Sequence, residues 1–245
     1  MSKVLANRLK GHLQLCIDRC QSAFLKGRHL HDNVASALEI IHYCEQHHVG
    51  GMVFKIDFRK AFDSLDQDFL IQVLVAKGMP RIWIRWICSL LSDTQSCIIL
   101  NGTELPWFQC FTRVRQGDPL SPYLFILALD TLSSILARAK DLSLIRGLGG
   151  NALDCQFVHL LYADDALIFC EASPLMVLRL KRILMLFGQV SCLQINLDKS
   201  VGTLIGRHDD ELEDRLTSII GCGIQKLPWS YLGIPLCIAK PPRVA

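Results

Sequence analysis

The stretch "LLYADDALIF", residues 160–169, places two adjacent aspartates, Asp164 and Asp165, between two apolar arms. The arms are rich in Leu, Ile and Phe, and each is too short to form a helix of its own. Such a pattern predicts a β-hairpin with the aspartates at its tip. Two carboxylates at the end of an apolar hairpin repel each other and lose hydration, so the fold has to offset that cost. An ordinary Asp-containing turn is the simplest alternative.

A second segment, "VFKIDFRKAFDSLD" at residues 53–66, has an apolar strand that leads directly into Asp57. Asp63 and Asp66 follow it, and a capping role for the next helix is the favoured interpretation of Asp66. If Asp57 lies beside the Asp164–Asp165 pair, three carboxylates are available for Mg²⁺, which prefers oxygen ligands. Such a cluster can hold two ions about 3.5–4 Å apart and clamp the attacking and leaving oxygens of phosphoryl transfer.

A third segment, "RVRQGDPLSP" at residues 113–122, combines groups that suit a nucleotide. Gly117 lets the backbone approach a ligand closely, and Gln116 offers an amide donor and acceptor. Arg113 and Arg115 offer phosphate contacts. An ordinary loop leading into a proline-started helix is the alternative.

The composition narrows the class of protein. Of 245 residues, 51% are hydrophobic, which indicates a globular chain of one large domain or two small ones. The 11 cysteines form no CxxC pair, which argues against a zinc ribbon. No secretory or other targeting signal is seen. The cysteines therefore indicate a reducing, intracellular location, in the nucleus or the cytoplasm. Residues 119–137 are the most apolar run, but Asp130 and two prolines favour a core helix over a membrane span. Residues 1–33 carry a net charge of +4, which suits phosphate contacts or a solvated helix face.

Along the chain, periodicity and turn residues predict an α+β fold. Helices are predicted at 3–15, 33–48, 66–77, 81–92, 122–140, 174–191 and 210–220, and strands at 52–58, 201–205 and 231–236. Hairpins are predicted at 96–114, with Asn101 and Gly102 at the turn, and at 156–170.

The three segments, in this order, resemble the palm motifs of reverse transcriptases. The resemblance rests on "KIDFRKAFDS", "RQGDPLSPYLF" and "LYADDALIF", and on three further stretches, "QSAFLKGRHLHDNV" (21–34), "LQINLDKS" (193–200) and "YLGIPL" (231–236). These three resemble a fingers motif, a motif carrying a lysine near the active site, and the primer grip. The residue sequences of these motifs are most similar to those of LINE-type, non-LTR retrotransposon enzymes. The resemblance covers roughly residues 2–237.

This resemblance implies the fold of a polymerase right-hand palm, a small antiparallel sheet backed by helices, with truncated fingers and no complete thumb. It predicts one reverse transcriptase domain over 1–245, with partial fingers at about 1–50, palm with finger insertions at about 51–237 and a truncated tail at 238–245. Because part of the family's clamp for template and primer is expected to be missing, we expect weak or no processive synthesis from this chain alone.

The implied activity is RNA-directed DNA polymerisation with two Mg²⁺ ions, or Mn²⁺ in their place. The implied partners are an RNA template, a DNA primer, deoxynucleoside triphosphates and the missing fingers, thumb or endonuclease segments of the parent element, with no membrane. Asp57 and Asp164 would ligate both metal ions with help from the Phe58 carbonyl, and Asp165 would complete the catalytic carboxylates.

The resemblance also implies roles for residues around the aspartates. Phe62 would be a steric gate against a ribose 2′-hydroxyl; a core phenylalanine is its alternative. The other implied contacts are the template–nucleotide pair for Gln116 and Gly117, the pyrophosphate leaving group for Lys199, the triphosphate or template for Arg28, and the primer 3′ end for Tyr231, Leu232 and Gly233. For Lys199 and Arg28 the alternative is a solvated surface charge.

Three other functions remain open from the sequence. A non-catalytic nucleic-acid-binding protein built on a decayed palm would bind RNA without Mg²⁺. A maturase of the group II intron type would need a basic domain after the thumb. Another metal-dependent enzyme, such as a nucleotide cyclase, would leave "RQGDPLSP" and "YLGIPL" without explanation.

Overall fold

The computed structural model describes residues 1–92, 95–109, 117–149, 157–206 and 208–237. The helices in these ranges are α1 (Ser2–Lys10), α2 (Leu13–Cys16), α3 (Leu30–Gln46), α4 (Ala61–Ser64), α5 (Gln67–Ala76), α6 (Arg81–Ser92), α7 (Ser121–Asp141), α8 (Pro174–Ser191) and α9 (Asp210–Ile220). The strands are β1 (Gly51–Ile56), β2 (Gln95–Ser96), β3 (Ile99–Leu100), β4 (Thr103–Glu104), β5 (Phe108–Gln109), β6 (His159–Tyr162), β7 (Asp165–Glu171), β8 (Val201–Ile205), β9 (Gly223–Ile224), β10 (Trp229–Tyr231) and β11 (Ile234–Leu236).

A five-stranded sheet with the order β6-β7-β1-β8-β9 forms the centre of the molecule. Strand β1 lies in the middle and pairs antiparallel with β7 on one side and with β8 on the other. Only the edge pair β8–β9 is parallel within this sheet. Because β1 is covered on both faces, its sequence "GMVFKI" is almost continuously apolar.

Alternate residues of β1 enter two different hydrophobic clusters. Met52, Phe54 and Ile56 belong to the larger cluster, to which α5, α7 and α8 contribute. Val53 belongs to the smaller cluster, with residues of α3 and of the β10–β11 hairpin. The sheet is therefore a layer between helices on one face and α3 with that hairpin on the other.

Helix α7 is a core helix, as the sequence predicts. Among the described residues it is the one helix long and apolar enough to cross a membrane, but 61% of that apolar stretch is buried inside the protein. Its Asp130 is itself buried and accepts hydrogen bonds from Lys77 Nζ at 2.5 Å and from the Asp18 backbone N–H at 2.7 Å. The charge inside this apolar helix is thus paired rather than exposed to lipid.

Most predicted elements are present, and three differ. The predicted helix at 3–15 is two short helices, because α1 ends at Lys10 and α2 begins at Leu13. Helix α3 begins at Leu30 with His29 as its N-cap, so Asp32 lies inside the first turn and accepts from the His29 N–H at 3.2 Å. The predicted strand at 231–236 is the β10–β11 hairpin, which turns at two positive-φ residues.

Other local predictions are confirmed. Asp66 caps α5 by accepting from the Phe69 N–H at 2.7 Å, and Asn101 and Gly102 form the turn between β3 and β4 with φ of 50° and 82°. Residues 110–114 of the predicted 96–114 hairpin lie outside the described residues. The division into fingers, palm and tail stays a prediction.

Candidate active site

The sheet register brings the three predicted carboxylates to one end of the sheet. Ile56, the last residue of β1, lies opposite Ala166 of β7. Because the strands are antiparallel, Asp57, which follows Ile56, and Asp165, which precedes Ala166, leave the pair at the same end of the sheet. In the β6–β7 hairpin, Tyr162 pairs with Asp165, which leaves Ala163 and Asp164 as a two-residue turn. Continuing the β1–β7 register by one residue sets Asp57 opposite Asp165, on the face that carries α3 and the β10–β11 hairpin, and the Asp57 charge acts on Asp165.

The Asp165 carboxyl shows both the loss of hydration and the charge repulsion that the sequence predicts for these aspartates. Burial raises the pKa of the half-buried Asp165, and the charges of Asp164 and Asp57 raise it further, while Lys55 lowers it. A divalent cation with oxygen ligands would relieve both the desolvation and the repulsion, so the donor set fits metal binding.

The backbone around Asp57 is fixed by a segment more than 130 residues later. The Asp57 N–H donates to Ser200 Oγ at 3.1 Å, and the Asp57 carbonyl accepts from the Asn196 N–H at 2.8 Å. Phe58 pairs with Ile195 in an antiparallel bridge. Because neighbouring carbonyls of an extended chain point in opposite directions, the Phe58 carbonyl points to the hairpin side, where the other two carboxylates lie.

Gln21 fixes the turn that carries Asp164, a role that the sequence did not reveal. Its side chain is fully buried, and Oε1 accepts from the Ala163 N–H at 3.1 Å and from the Ala23 N–H at 2.9 Å. Ala163 has a φ of 53°, in the left-handed region that non-glycine residues rarely adopt. Gln21 therefore holds a strained turn in place directly before the Asp164–Asp165 pair. The only signal was its place in "QSAFLKGRHLHDNV".

Lys55 is a second residue that sequence reasoning missed. Its Nζ donates to the Ser230 carbonyl at 2.7 Å and lies 5.8 Å from the centre of the Trp229 ring. It also lowers the pKa of Asp165. Lys55 thus joins the β10–β11 hairpin to the carboxylate cluster electrostatically. Its signal was a single lysine within an otherwise apolar strand.

Of the residues predicted to contact the nucleotide, the structure describes Phe62 and Gly117 but not Gln116. Phe62 is half-buried and stacks on Phe125 with 4.5 Å between ring centroids and 29° between planes, which holds the ring against the core. That packing is what a core phenylalanine also requires, so its steric-gate role stays a prediction. Gly117 is exposed with a φ of 90°, a conformation that favours glycine. Gln116 lies outside the described residues, as do residues 111–115.

Two predicted phosphate-binding side chains differ in their surroundings. The Arg28 guanidinium donates to the carbonyls of Asp18, Gln21 (2.5 Å) and Ile17 (3.1 Å), so it already clamps a backbone segment. Lys199 is exposed and directly precedes Ser200, the partner of Asp57. Neither contact with a nucleotide is tested, and both stay predictions.

The predicted primer-grip residues form the tip of the β10–β11 hairpin. Leu232 and Gly233 make the turn, with φ of 51° and 80°. The Tyr231 ring is fully buried beside Asn33, and burial raises the pKa of its hydroxyl. Tyr231 thus anchors the hairpin, and the exposed surface at the tip belongs to Gly233. The role of all three toward a primer stays a prediction.

Comparison with known proteins agrees with this geometry. The family model described as "Reverse transcriptase (RNA-dependent DNA polymerase)" matches residues 1–236. A Xenopus laevis protein, the transposon TX1 uncharacterized 149 kDa protein, is 27% identical over 84% of this chain and 15% of its own length. The Drosophila melanogaster Pol polyprotein from type-2 retrotransposable element R2DM is 27% identical over 96% of this chain and 22% of its own length. The chain thus spans less than a quarter of these relatives.

Solved structures are similar in fold at low sequence identity. Apo telomerase from Candida tropicalis, truncated from the C-terminal domain, aligns with a TM-score of 0.62 and 14% identity over 84% of this chain and 41% of that chain. Candida albicans telomerase in complex with a fragment of telomeric RNA aligns with a TM-score of 0.56 and 12% identity over 85% of this chain and 34% of that chain. These matches confirm the α+β fold of a right-hand polymerase palm.

Proposed function

Because the chain belongs to the reverse transcriptase (RNA-dependent DNA polymerase) family, we propose that Asp57, Asp164 and Asp165 catalyse RNA-templated addition of deoxynucleotides to a primer 3′-hydroxyl. The relatives that it resembles are proteins of non-LTR retrotransposons, the class predicted from the sequence. The observation that carries the proposal is the register of β1 against β7, which sets Asp57 beside the Asp164–Asp165 turn.

Reverse transcriptases generally use divalent metal ions, and the carboxylate cluster fits them. Asp57, Asp164 and the Phe58 carbonyl would hold two Mg²⁺ ions, or Mn²⁺, which when bound neutralise charge on the attacking and leaving oxygens. The protein's own part is positional. Ser200 and Gln21 fix the backbone on which two of the carboxylates stand, and Lys55 favours the charged form of Asp165.

The surrounding residues take the roles predicted for them within this proposal. Phe62, held against Phe125, would exclude a ribose 2′-hydroxyl by shape. The other proposed contacts are Gln116 and Gly117 with the template–nucleotide pair, Lys199 with the leaving pyrophosphate, Arg28 with triphosphate or template, and Tyr231, Leu232 and Gly233 with the primer. The Arg28 guanidinium already donates to three backbone carbonyls. Its proposed effect on the triphosphate or template would therefore act through the backbone segment that it holds.

An RNA template, a DNA primer and deoxynucleoside triphosphates are the proposed partners, with further segments of the parent element. We propose that the protein works in a reducing intracellular compartment, nucleus or cytoplasm, as expected from 11 cysteines without a secretory signal. Immunofluorescence of the tagged chain tests the location.

The experiment for the proposed function is primer extension on an RNA template with Mg²⁺. Incorporation of deoxynucleotides, even a few per primer, supports catalysis by this chain, and short products are expected. No product at high enzyme concentration contradicts the polymerase proposal. RNA binding that survives Asp57→Ala and needs no Mg²⁺ would favour the non-catalytic alternative.

Gln21→Ala should lower both stability and the extension rate. It leaves the buried N–H groups of Ala163 and Ala23 without their acceptor, which costs about 1–3 kcal/mol. The turn before Asp164 then loses its fixed position, and we expect kcat to fall about 10-fold or more with little change in KM. The matched control is Gln189→Ala on the exposed face of α8, which should match wild type in both assays. A normal kcat in a Gln21→Ala protein of lowered stability would refute the positioning role.

Asp165→Asn should make the metal-free chain more stable at pH 7. The folded-state pKa of Asp165 is raised, so its favourable contribution is complete below its ordinary pKa and is lost as pH rises through the raised value. Removing the charge therefore raises Tm at neutral pH, by about 2–4 °C if the effect is about 1 kcal/mol in a chain of this size. Thermal unfolding in EDTA at pH 7 and pH 5 measures it, and the gain should shrink at pH 5.

The effect of Mg²⁺ on Tm provides a control for the Asp165→Asn variant. Millimolar Mg²⁺ should raise the Tm of the wild type more than that of Asp165→Asn, because fewer carboxylates then attract the cation. A variant less stable than wild type in EDTA at pH 7 would show that carboxylate repulsion is not the dominant cost at this site.

A further inference from the structure

A second cluster of possible metal-ligand side chains, outside the carboxylate site, includes the first residue of β6. Among the described residues, one oxygen of Asp18, Sγ of Cys20 and one ring nitrogen of His159 all lie within 4.8 Å of one another. Asp18 is exposed, Cys20 is half-buried and His159 is 4% exposed. The cluster joins the segment after α2 to the first residue of β6.

His159 is the unusual member of this cluster. Neither of its ring nitrogens has a hydrogen-bond partner among the described residues, although both are buried. Buried polar atoms are nearly always paired, so two unpaired nitrogens on one ring require an explanation. Burial lowers the pKa of His159 to about 4, so at neutral pH the imidazole has a lone pair available for a metal ion.

The other two side chains bring the charges that a dication requires. Burial acts to raise the Asp18 pKa, but hydrogen bonds from the Cys20 N–H (2.8 Å) and thiol and the charge of Arg28 lower it overall, so Asp18 supplies negative charge. Burial raises the pKa of the Cys20 thiol to about 12, and the neighbouring Asp18 charge adds to that shift. A bound dication would deprotonate this thiol and release its proton to solvent, which balances two negative charges against two positive ones.

The segment that carries Asp18 and Cys20 is held firmly in position. The Asp18 N–H donates to Asp130 Oδ1 at 2.7 Å, and the carbonyl of Cys20 accepts from the Leu161 N–H at 2.8 Å. Arg28 donates to the carbonyls on either side. The ligand atoms are therefore presented by fixed backbone, and rotation of the side chains brings them to the roughly 3.5 Å between ligands of a tetrahedral Zn²⁺.

From this arrangement we propose that Asp18, Cys20 and His159 bind one Zn²⁺ ion, with the exposed side of Asp18 leaving the fourth position to water. One thiolate, one imidazole and one carboxylate form the mixed donor set that suits borderline-soft Zn²⁺ rather than Mg²⁺. The ion ties the N-terminal segment to β6, five residues before Asp164. It is a structural clamp for the hairpin and takes no part in nucleotide transfer.

Co²⁺ and Zn²⁺ titration of the full chain tests the proposal. Excess Mg²⁺ is present to occupy the carboxylate cluster, and a reductant without thiols keeps the cysteines free. Wild type should bind one Co²⁺ with a thiolate charge-transfer band, and Zn²⁺ should displace it. Cys20→Ser should lose the band and weaken Zn²⁺ binding by about 100-fold or more, beyond the 10–100-fold effect of an outer-shell partner.

The matched control is Cys192→Ser, because Cys192 is exposed and lies outside the cluster. It should keep the band and the affinity of wild type. Asp18→Asn removes one exposed ligand charge with little risk to folding, and it should keep the band while Zn²⁺ binds at least about 10-fold more weakly. Wild type that binds no Co²⁺, or Cys20→Ser or Asp18→Asn that binds Zn²⁺ as tightly as wild type, would overturn the proposal. Circular dichroism confirms that each variant is folded.

Discussion

We expect Asp164→Asn to reduce RNA-templated primer extension by at least about 10³-fold if the proposed function is correct, and to leave the fold of the chain intact. Asp164 is exposed at the hairpin turn and carries no packing role, so the change removes one charge and one oxygen ligand without opening a cavity. Losing one of three clustered carboxylates weakens metal binding and leaves charge on the reacting oxygens without compensation.

The comparison that makes this result specific is Asp214→Asn. Asp214 is exposed on α9, outside the carboxylate cluster, and its loss should leave extension within about twofold of wild type. Single-turnover assays with saturating primer–template measure the chemical step. Raising Mn²⁺ should restore Asp164→Asn only in small part. Extension by Asp164→Asn at the rate of the control would mean that the observed product does not arise from this site.

Lys77→Met has the largest expected effect on stability. Lys77 Nζ lies 2.5 Å from Asp130 Oδ2, with side-chain exposures of 18% and 5%, and it also donates to the Cys16 carbonyl at 2.8 Å. Removing it leaves the Asp130 charge buried without its cation, which costs about 3–5 kcal/mol. At about 2–4 °C per kcal/mol, thermal unfolding should show Tm lowered by roughly 6–20 °C.

Two further variants separate the buried charge from the lost packing. Lys10→Met, on the exposed side of α1, should change stability by no more than about 0.5 kcal/mol. Adding Asp130→Asn to Lys77→Met removes the unpaired charge while an amide oxygen can still accept from the Asp18 N–H. This double variant should recover more than half of the lost stability. No recovery would assign the loss to the lysine's aliphatic stem and not to electrostatics.

The sequence was informative where a local pattern determines a local structure. Apolar runs that end in aspartate predicted where Asp57 and the Asp164–Asp165 pair lie in their strands, and the register observed between β1 and β7 brings them together. Core helix α7 was recognisable because a long apolar stretch with a charge and prolines suits a buried helix better than a bilayer.

The sequence was silent where a contact joins distant residues. The bond from the Ala163 N–H to Gln21 spans 142 positions, and the bond from the Asp57 N–H to Ser200 spans 143. Neither glutamine nor serine has a local signature for such a role. The turn at Leu232 and Gly233 was missed for a different reason: leucine rarely adopts positive φ, so "YLGIPL" looked like one strand.

The central position of β1 has a consequence for synthesis in the cell. Both of its neighbours, β7 and β8, lie more than about 100 residues later in the chain. At roughly 5–20 residues per second, a ribosome exposes β1 for several seconds before either partner emerges. An apolar strand with two open edges is prone to pair with other chains during that interval. Nascent chains should therefore engage chaperones until both β7 and β8 have been made, and slower translation should increase aggregation.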